Sequence, residues 1–285
     1  MSEDRMQASR FEMKYIIPDG VALATRDFLA GYLELDEFGA TQPNFSYPIH
    51  SLYLDSDQLA TYHWTINGDK NRYKLRVRYY DDRPESPVFF EIKRRVDSTI
   101  NKQRGGVRKE FAQAILNGQL VEPGHLLSKD PKQFMALQNF SRLMNMINAK
   151  PKLHVYYVRE AWISRFDNSV RVTMDRDVLC DPETAGRLTT TLTNPVRPFG
   201  KMVILELKFT NRFPDWFKEL VRVFGLTQCG AAKYAGGVEL MGEHQLMHSF
   251  SAIPRPPESR IITTKLTTPI ESPRPSTAVN QSLHA

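Results

Sequence analysis

Positively charged side chains recur at every second position of residues 71–80. Arg72, Lys74, Arg76 and Arg78 alternate there with large apolar or aromatic residues. Arginine offers paired hydrogen-bond donors to phosphate oxygens, and lysine offers a compact positive charge. Bases two residues apart on a strand lie about 7 Å apart, so a row of them can contact successive groups of a linear polyanion. The chemistry that this stretch favours is the binding of a chain of phosphates.

Carboxylates stand among the bases in further segments with the same alternation. Three acid–base pairs are separated by a single apolar residue: Glu12/Lys14, Glu91/Lys93 and Glu206/Lys208. An acid among bases is either a salt-bridge partner or a ligand that holds a divalent cation through its oxygens. For Glu206 both interpretations stay open, with Lys208 as the nearest partner for an ion pair. Asp175 is interpreted as an acid that orients Arg171 rather than as a metal ligand.

The alternation predicts β-strands, because successive side chains of a strand point to opposite faces of a sheet. Strands are predicted at 10–17, 51–55, 72–80, 88–95, 152–159, 161–166, 169–176 and 202–209. Helices are predicted at 21–31, 57–64, 111–117, 131–148, 215–224 and 236–241. Residues 101–109 are predicted to form a basic connector that contains glycine, and residues 180–197 to be irregular with one strand.

About eight strands interspersed with helices predict an α+β fold built on a closed antiparallel eight-stranded β-barrel. A single solvated sheet face would explain one or two charged strands, but not all of them. In a barrel, inward and outward side chains alternate along every strand. We therefore expect a tunnel with a charged interior and outer helices packed on its apolar face. An interior rich in bases requires a polyanion to fill it, because like charges at close range repel.

The composition bounds the class of protein. The chain has 285 residues and a formal net charge of only +6, so the distribution of its bases matters more than their excess. Cys180 and Cys229 are the only cysteines, which gives neither a disulfide framework nor zinc-ligand spacing. No secretory signal and no apolar run long enough to span a membrane is present, so a cytoplasmic protein is expected. Residues 1–9 are predicted to be a flexible start, residues 10–249 one domain, and residues 250–285 a disordered tail rich in Pro, Ser and Thr.

Taken in order, these segments resemble the VTC-domain polyphosphate polymerases, a branch of the triphosphate tunnel metalloenzymes. The segments that carry the resemblance are Arg10–Tyr15, Ser51–Asp55, Lys74–Tyr79, Glu91–Lys93, Lys102–Arg104, Arg159, Arg171–Asp175, Leu205–Lys208 and Lys233–Tyr234. The first strand has Arg10 two positions before Glu12, where the triphosphatase and adenylate cyclase branches have a second glutamate. That difference favours the polymerase branch.

The resemblance implies a tunnel of antiparallel strands and transfer of the γ-phosphoryl group of ATP to a growing polyphosphate chain. It implies a catalytic, phosphate-binding set that consists of Lys14, Arg76, Arg78, Lys93, Arg171, Lys208 and Lys233. Further substrate-binding residues are expected at Lys74, Lys102, Arg104, Arg159 and Tyr234, with Tyr234 beside Lys233. Glu206, with Glu12, is the expected ligand set for a divalent metal, Mn²⁺ or Mg²⁺. ATP and inorganic polyphosphate are the expected partners, and the oligomeric state stays open.

Three alternatives are left open. A tripolyphosphatase would use the same scaffold for hydrolysis, and a sensor would bind polyphosphate or inositol phosphates without turnover. Nucleic-acid binding would require aromatic residues on the basic face for base stacking. Tyr73 and Tyr79 fall on the opposite face of their strand, so nucleic acid is the least favoured partner. For Arg76 and Arg78 the competing interpretation is a solvated face that pairs with Glu91 or Asp81.

Overall fold

The computed structural model describes residues 10–97, 99–167, 169–210 and 212–247. The predicted start at residues 1–9 and tail at residues 250–285 lie outside the described residues. The strands are β1 (Arg10–Ile17), β2 (Glu34–Leu35), β3 (Ser46–Asp55), β4 (Asn71–Tyr79), β5 (Val88–Val96), β6 (Thr99–Val107), β7 (Lys150–Ile163), β8 (Val170–Pro182) and β9 (Val203–Thr210).

The described part of the chain also contains seven α-helices, of which the last two follow the final strand. They are α1 (Asp19–Leu29), α2 (Glu37–Ala40), α3 (Ala60–Ile66), α4 (Lys109–Leu116), α5 (Pro131–Met146), α6 (Asp215–Val223) and α7 (Lys233–Met241). Short 3-10 helices occur at Pro43–Phe45, Pro123–His125 and Glu243–Gln245. The helix α5 begins where the sequence dictates: Pro131 occupies the first turn, and the Asp130 side chain accepts a hydrogen bond from the Lys132 amide.

All the strands belong to one antiparallel sheet of nine strands with the order β1-β9-β8-β7-β3-β4-β5-β6, and β2 adds to β7. The mostly antiparallel sheet with helices confirms the predicted α+β class. The closed barrel is not found as a hydrogen-bonded structure: β1 and β6 end the order, and no strand register pairs them among the described residues. The strand β2 was not predicted. It is only two residues long, which is too short for an alternation of side chains to be recognised.

Several predicted segments differ from the structure: β8 runs to Pro182, into the segment predicted to be irregular, and β3 begins five residues before its predicted start. The predicted connector at 101–109 is largely β6, a strand that pairs with β5 over its whole length. Its outward positions carry Asn101, Gln103 and Gly105 instead of large apolar residues, and Gly106 stands inward opposite Phe89, so the alternation on which the strand predictions depend is absent. The two strands predicted at 152–159 and 161–166 form one continuous strand, β7. Glu160 interrupts the apolar pattern because it is buried between Arg26 and Arg176 instead of facing solvent.

The apolar face of the sheet is covered by the helices. Tyr73, Leu75 and Val77 of β4 pack with Phe140 of α5 in one core cluster. Leu205 and Leu207 of β9 pack with Phe217 of α6 in another. Because these positions alternate with the charged ones, burying them turns the charged side chains to the other face. In the described residues, no helix is both long and apolar enough to cross a membrane.

Candidate functional site

The strand registers place the charged side chains on one shared face of the sheet, which we call the inner face. Side chains of Cα partners in antiparallel strands point to the same face. Lys14 is opposite Glu206, which is opposite Thr173; Arg76 is opposite Glu91 on one side and Tyr53 on the other. The inner face therefore collects ionic residues from strands that are far apart in the sequence.

Glu206 lies at the middle of the inner face, and three ammonium groups surround its carboxylate. The residue is 5% exposed. Its oxygens lie 2.7 Å from Lys208 Nζ, 3.2 Å from Lys14 Nζ and 3.8 Å from Lys233 Nζ. Burial by itself would raise the pKa of Glu206, but these three ammonium groups hold it well below its usual value. Glu206 is therefore ionised and fixes three cations around one point.

Asp175 holds two further cations. Its oxygens accept hydrogen bonds from Arg159 Nε at 2.7 Å and Arg159 Nη2 at 2.8 Å, and Lys233 Nζ lies 2.6 Å away. Burial opposes ionisation, but Arg159 and Lys233 lower the pKa of Asp175 to about 2. This geometry corrects one prediction, because Asp175 orients Arg159 and not Arg171. Arg171 instead pairs with Asp36 at 2.9 Å, and its side chain is 41% exposed.

Glu91 organises a second group of cations, on the part of the inner face that β4, β5 and β6 share. Its Oε2 lies 2.6 Å from Arg76 Nη2, and its Oε1 lies 2.8 Å from Lys102 Nζ and 3.5 Å from Arg104 Nε. Arg78 Nη1 is 4.0 Å away. The carboxylate is 1% exposed, and although burial would raise its pKa, Arg76 and Arg78 hold that pKa far below the usual value.

Tyr157 links the Glu91 group to the Asp175 group. Its hydroxyl accepts a hydrogen bond from Arg78 Nη2 at 3.1 Å, and Lys233 Nζ lies 4.7 Å from its ring centroid. Arg159 is 5.2 Å from the same ring. Burial would raise the pKa of Tyr157, but Arg159 and Arg78 shift it below the usual value. Tyr157 therefore contacts three cations of the inner face, and its ring interacts favourably with Arg159 and Lys233.

The segment that leads into α7 crosses the sheet and completes the site. Cys229 N donates to the Lys14 carbonyl at 2.9 Å, and Lys14 Nζ donates to the Ala231 carbonyl at 3.2 Å. Lys233, the first residue of α7, is thereby brought to Asp175 and Glu206. Lys233, which the resemblance implies to be a phosphate-binding residue, therefore lies beside two acids of the inner face.

Tyr234 has a different place from the one predicted. It is 1% exposed, its ring stacks on Tyr53 at 5.0 Å, and its hydroxyl donates to Asp55 Oδ2 at 2.8 Å. Asp55 is fully buried and also accepts bonds from Thr61 and Tyr62 at the start of α3. The hydroxyl of Tyr234 is therefore committed to an internal network, and the residue positions α7 rather than presenting a donor to a ligand.

A cavity of about 860 Å³ opens on the inner face beside the crossing segment. Glu12, Lys14, Lys74 and Lys93 line one side of it, and residues 228–232 line the other. Lys93 Nζ lies 3.0 Å from Glu12 Oε2. Burial would raise the pKa of Glu12, but Lys93 and Lys14 lower it to about 2 in spite of the opposing effect of Glu206. The cavity is therefore bordered by fixed charges of both signs.

A divalent metal ion would find a partial ligand set here. Glu12 Oε1 and Glu206 Oε1 each lie 3.2 Å from the same atom, Lys14 Nζ, so two carboxylates converge on one cation position. Mg²⁺ and related ions commonly combine one or two carboxylates with substrate phosphates. No cluster of three or more His, Cys, Asp or Glu that could hold a metal occurs in the described ranges. The residues fit such an ion together with phosphate oxygens, provided that Lys14 moves aside.

Sequence reasoning found most of the cations and missed several of the groups that hold them. Glu91 was recognised as one member of an acid–base pair and as a possible partner of Arg76 or Arg78, but it was not placed in the site, although it is the most heavily paired acid of its cluster. Its position two residues before Lys93, as in the Glu206/Lys208 pair, is the signal that supports such a role. Asp36 and Tyr157 carried no such signal, because neither lies in an acid–base alternation.

The chain belongs to the VTC domain family, whose model matches residues 9–242. A vacuolar transporter chaperone complex subunit 4 from Trypanosoma brucei brucei is 26% identical over 69% of this chain and 29% of its own length. The corresponding subunit of Trypanosoma cruzi is 23% identical over 69% and 28%. Subunit 2 from Schizosaccharomyces pombe is 24% identical over 44% and 18%. The chain thus spans less than a third of the length of these relatives.

Among solved structures, an adenylate cyclase candidate from Bacillus halodurans aligns with a TM-score of 0.44 at 13% identity. The alignment covers 79% of this chain and 95% of that protein. This similarity is too low to transfer any function.

Proposed function

We propose that the protein is a metal-dependent polyphosphate polymerase, which transfers the γ-phosphoryl group of ATP to a growing inorganic polyphosphate chain. The observation that carries the proposal is the inner face itself, where buried carboxylates hold cations from β1, β4, β5, β6, β7, β9 and α7. Such cations are already fixed before a ligand arrives, so a phosphate chain meets donors that need little reorganisation. Membership in the VTC domain family supports the same conclusion.

In this reaction a terminal phosphate oxygen of the polymer attacks the γ-phosphorus of ATP. The bond from that phosphorus to the bridging oxygen breaks, the bridging oxygen stays with ADP, and the polymer gains one phosphate. No protein nucleophile is required, since positioning and charge stabilisation supply most of the catalysis of phosphoryl transfer. Arg76, Arg78 and Lys233 would bind phosphate oxygens, while Glu91 and Asp175 keep their charged groups in place.

A divalent ion held by Glu206, with Glu12, would neutralise charge on the phosphates when bound. Lys14 and Lys208 flank Glu206 and would then be released toward the same phosphates. Arg159 is buried against Asp175 and would act mainly by holding that acid in place.

We further propose that the inner face encloses a tunnel, although its two terminal strands share no strand register within the part of the chain that the structure describes. Lys93 of β5 reaches Glu12 of β1 at 3.0 Å, so an ion pair between side chains bridges the gap. Lys102 of β6 lies opposite Lys93, next to this junction, with Nζ 2.8 Å from Glu91. A wall joined by side chains could open more readily than one joined by a strand ladder.

The test is incubation of the purified protein with ATP and Mn²⁺ and separation of the products on a polyphosphate gel. Glu206→Gln and Arg76→Ala are expected to lower the rate of polymer formation by about a hundredfold or more, the usual cost of removing one preorganised charge-stabilising group. Matched controls are Glu219→Gln and Arg83→Ala, which change exposed residues and should leave the rate unchanged.

Thermal unfolding of each variant separates loss of function from loss of folding. If the wild type makes no polymer but cleaves added tripolyphosphate, the reaction is hydrolysis and the polymerase proposal is wrong. Binding of polyphosphate without turnover in either assay would instead make the protein a sensor.

A further inference from the structure

Two consecutive rows of the β4–β5 pair place like charges directly opposite each other. Arg72 is the Cα partner of Arg95, and Lys74 is the Cα partner of Lys93. Side chains at such positions share one face, and like charges placed opposite each other destabilise a sheet. We call these four residues the outer cation cluster. The repulsion among these four cations at the end of the strand pair would be offset if an anion bound between them.

The outer cation cluster has almost no acidic compensation. The Arg72 guanidinium donates to the Asp69 carbonyl, and Arg95 Nε donates to the Asp97 carbonyl at 2.7 Å. The side chain of Lys74 has no hydrogen bond or ion pair to any residue that the structure describes. Only Lys93 reaches a carboxylate, Glu12. Backbone carbonyls thus fix the two guanidinium groups without cancelling their charge.

The turns that hold these arginines are themselves tied together. Asp97 N donates to the Lys70 carbonyl at 3.0 Å, which joins the turn before β4 to the turn between β5 and β6. Arg72 is half-buried, and Arg95 is exposed. The two guanidinium groups are therefore held at one end of the inner face, with unused donors available to a ligand.

All four residues line the cavity of about 860 Å³, in which Lys14 and Glu12 also lie. A ligand bound at Glu12 and Lys14 can therefore continue along the same cavity to Lys74 and then to Arg72 and Arg95. The two rows are two residues apart on each strand, which is about 7 Å. That spacing suits successive phosphates of a linear chain better than a single compact anion.

We propose that the outer cation cluster is a separate phosphate subsite, which takes the part of a linear polyphosphate that extends beyond the central carboxylates. The proposal rests on the proposed function for the identity of the polyanion only. It predicts that the cluster contributes to the binding of long chains and contributes little to the binding of a ligand too short to reach it. It does not require that the protein synthesise the polymer.

The experiment measures the affinity of the purified protein for long-chain polyphosphate and for pyrophosphate by isothermal titration calorimetry. The test variant is Arg72→Gln/Arg95→Gln, and Arg72→Lys/Arg95→Lys keeps the charge. The control is Arg165→Gln/Arg222→Gln, which removes the same net charge from two exposed residues outside the cavity. Circular dichroism confirms that each variant is folded.

The test variant is expected to bind long-chain polyphosphate about tenfold or more weakly, since hydrogen bonds to charged groups are among the strong ones. Its affinity for pyrophosphate should be unchanged, and the lysine variant should lie in between. Equal weakening by the control variant would show that only total charge matters and would overturn the subsite. Unchanged long-chain affinity in the test variant would overturn it as well.

The proposed function and the subsite fail in different ways. If the wild type binds long-chain polyphosphate through Arg72 and Arg95 but makes no polymer from ATP, the subsite proposal stands and the polymerase proposal is wrong. If the wild type makes polymer and the double glutamine variant binds long chains normally, the polymerase proposal stands and the subsite proposal is wrong. A wild type that binds no long-chain polyphosphate overturns the subsite directly.

Discussion

The inner face has two regions that handle positive charge in opposite ways. Around Glu206, Asp175 and Glu91, every cation has a carboxylate within 4.0 Å. In the outer cation cluster, Arg72 and Arg95 are bound by backbone carbonyls. The first region keeps its cations in fixed positions in the absence of ligand. In the second region, backbone carbonyls do not neutralise Arg72 and Arg95, so the attraction of these two residues for an anion is not reduced.

The difference shows that preorganisation and affinity are supplied by different parts of the site. When a cation is already paired, an incoming phosphate must compete with the carboxylate for it. This competition lowers the net free energy gained when the phosphate binds. The same pairing fixes the direction of each donor, which is what stabilisation of a transition state requires. An unpaired cation gains more on binding but is less well oriented. Under the proposed function, the paired region would position the reacting phosphates, and the outer cluster would retain the polyphosphate chain.

The largest effect should come from breaking the paired region at Asp175. Asp175→Asn leaves Arg159 and Lys233 buried without their acid, and the free energy of unfolding should fall by about 3–5 kcal/mol. Urea denaturation measures this change. Asp177→Asn on the same strand is the matched control: its partner Arg197 is 52% exposed, and the cost should be below about 1 kcal/mol. Equal costs at the two positions would show that burial of the Asp175 pair has no energetic weight.

Acid should weaken the paired region before it affects the outer cluster. The pKa of Asp175 is lowered from 3.8 to about 2, so the carboxylate stabilises the fold fully above its ordinary pKa. This contribution is lost as the pH falls from about 4 to about 2, where the folded protein takes up the proton. Urea denaturation from pH 5 to pH 2 should show that loss in the wild type and a smaller one in Asp175→Asn. Parallel pH profiles would contradict the assignment.

Lys74 offers a way to sharpen the comparison through proton uptake. Burial, with Lys14, Lys93 and Arg72 nearby, lowers the pKa of Lys74 to about 7, and Asp55 opposes this only weakly. Lys74 is therefore largely neutral at pH 8, and a bound phosphate should return its proton. Calorimetry in two buffers of different ionisation enthalpy should show uptake on polyphosphate binding that rises from pH 6 to pH 8.

Lys74→Met should reduce that uptake by up to about one proton, because the variant has no group to protonate at this position. The pKa of Lys93, about 8, titrates in a neighbouring range, so the difference between the wild type and the variant is the quantity to compare. Identical proton uptake in the two proteins would mean that Lys74 is already charged in the free protein.

The smallest effect is expected where the outer cluster is made to resemble the paired region. Arg95→Glu places a carboxylate opposite Arg72 and should raise the free energy of unfolding by about 0.2–1 kcal/mol, the range for a cross-strand charge pair. The same variant should bind long-chain polyphosphate more weakly than Arg95→Gln does. Thermal unfolding and calorimetry measure the two quantities. A variant that is less stable and binds equally well would contradict the comparison.

Much of the fold was predictable because alternation is a local property of a strand. The predictions placed β1, β4, β5 and β9 within two residues of their observed bounds, and α5 and α6 within two residues as well. The signal failed at β6, where the outward positions are Asn101, Gln103 and Gly105, and at β7, where Glu160 is buried with Arg26 and Arg176. In both places the pattern depends on contacts with distant segments that a single strand does not reveal.

The site was predictable as a set of cations and less so as a set of pairs. Lys14, Arg76, Lys93 and Lys208 do share the inner face, Lys233 reaches that face from α7, and the roles of all five in catalysis stay predictions. Asp175 was assigned to the wrong arginine because Arg171 is nearer in the sequence than Arg159. Tyr234 was expected among the substrate-binding residues beside Lys233, whereas its hydroxyl donates to Asp55, because helical geometry turns adjacent side chains in different directions.

The sequence by itself determined which side chains share a face, because a strand alternates whatever it pairs with. That was enough to indicate a basic inner face, a family resemblance and a phosphate ligand. Only the tertiary structure decided which acid holds which base, because strand register and the burial of each ion pair arise from contacts between distant segments. Among the described residues, the same contacts left Arg72, Lys74 and Arg95 without a carboxylate in an ion pair, and this distinguishes the outer cluster from the rest of the face.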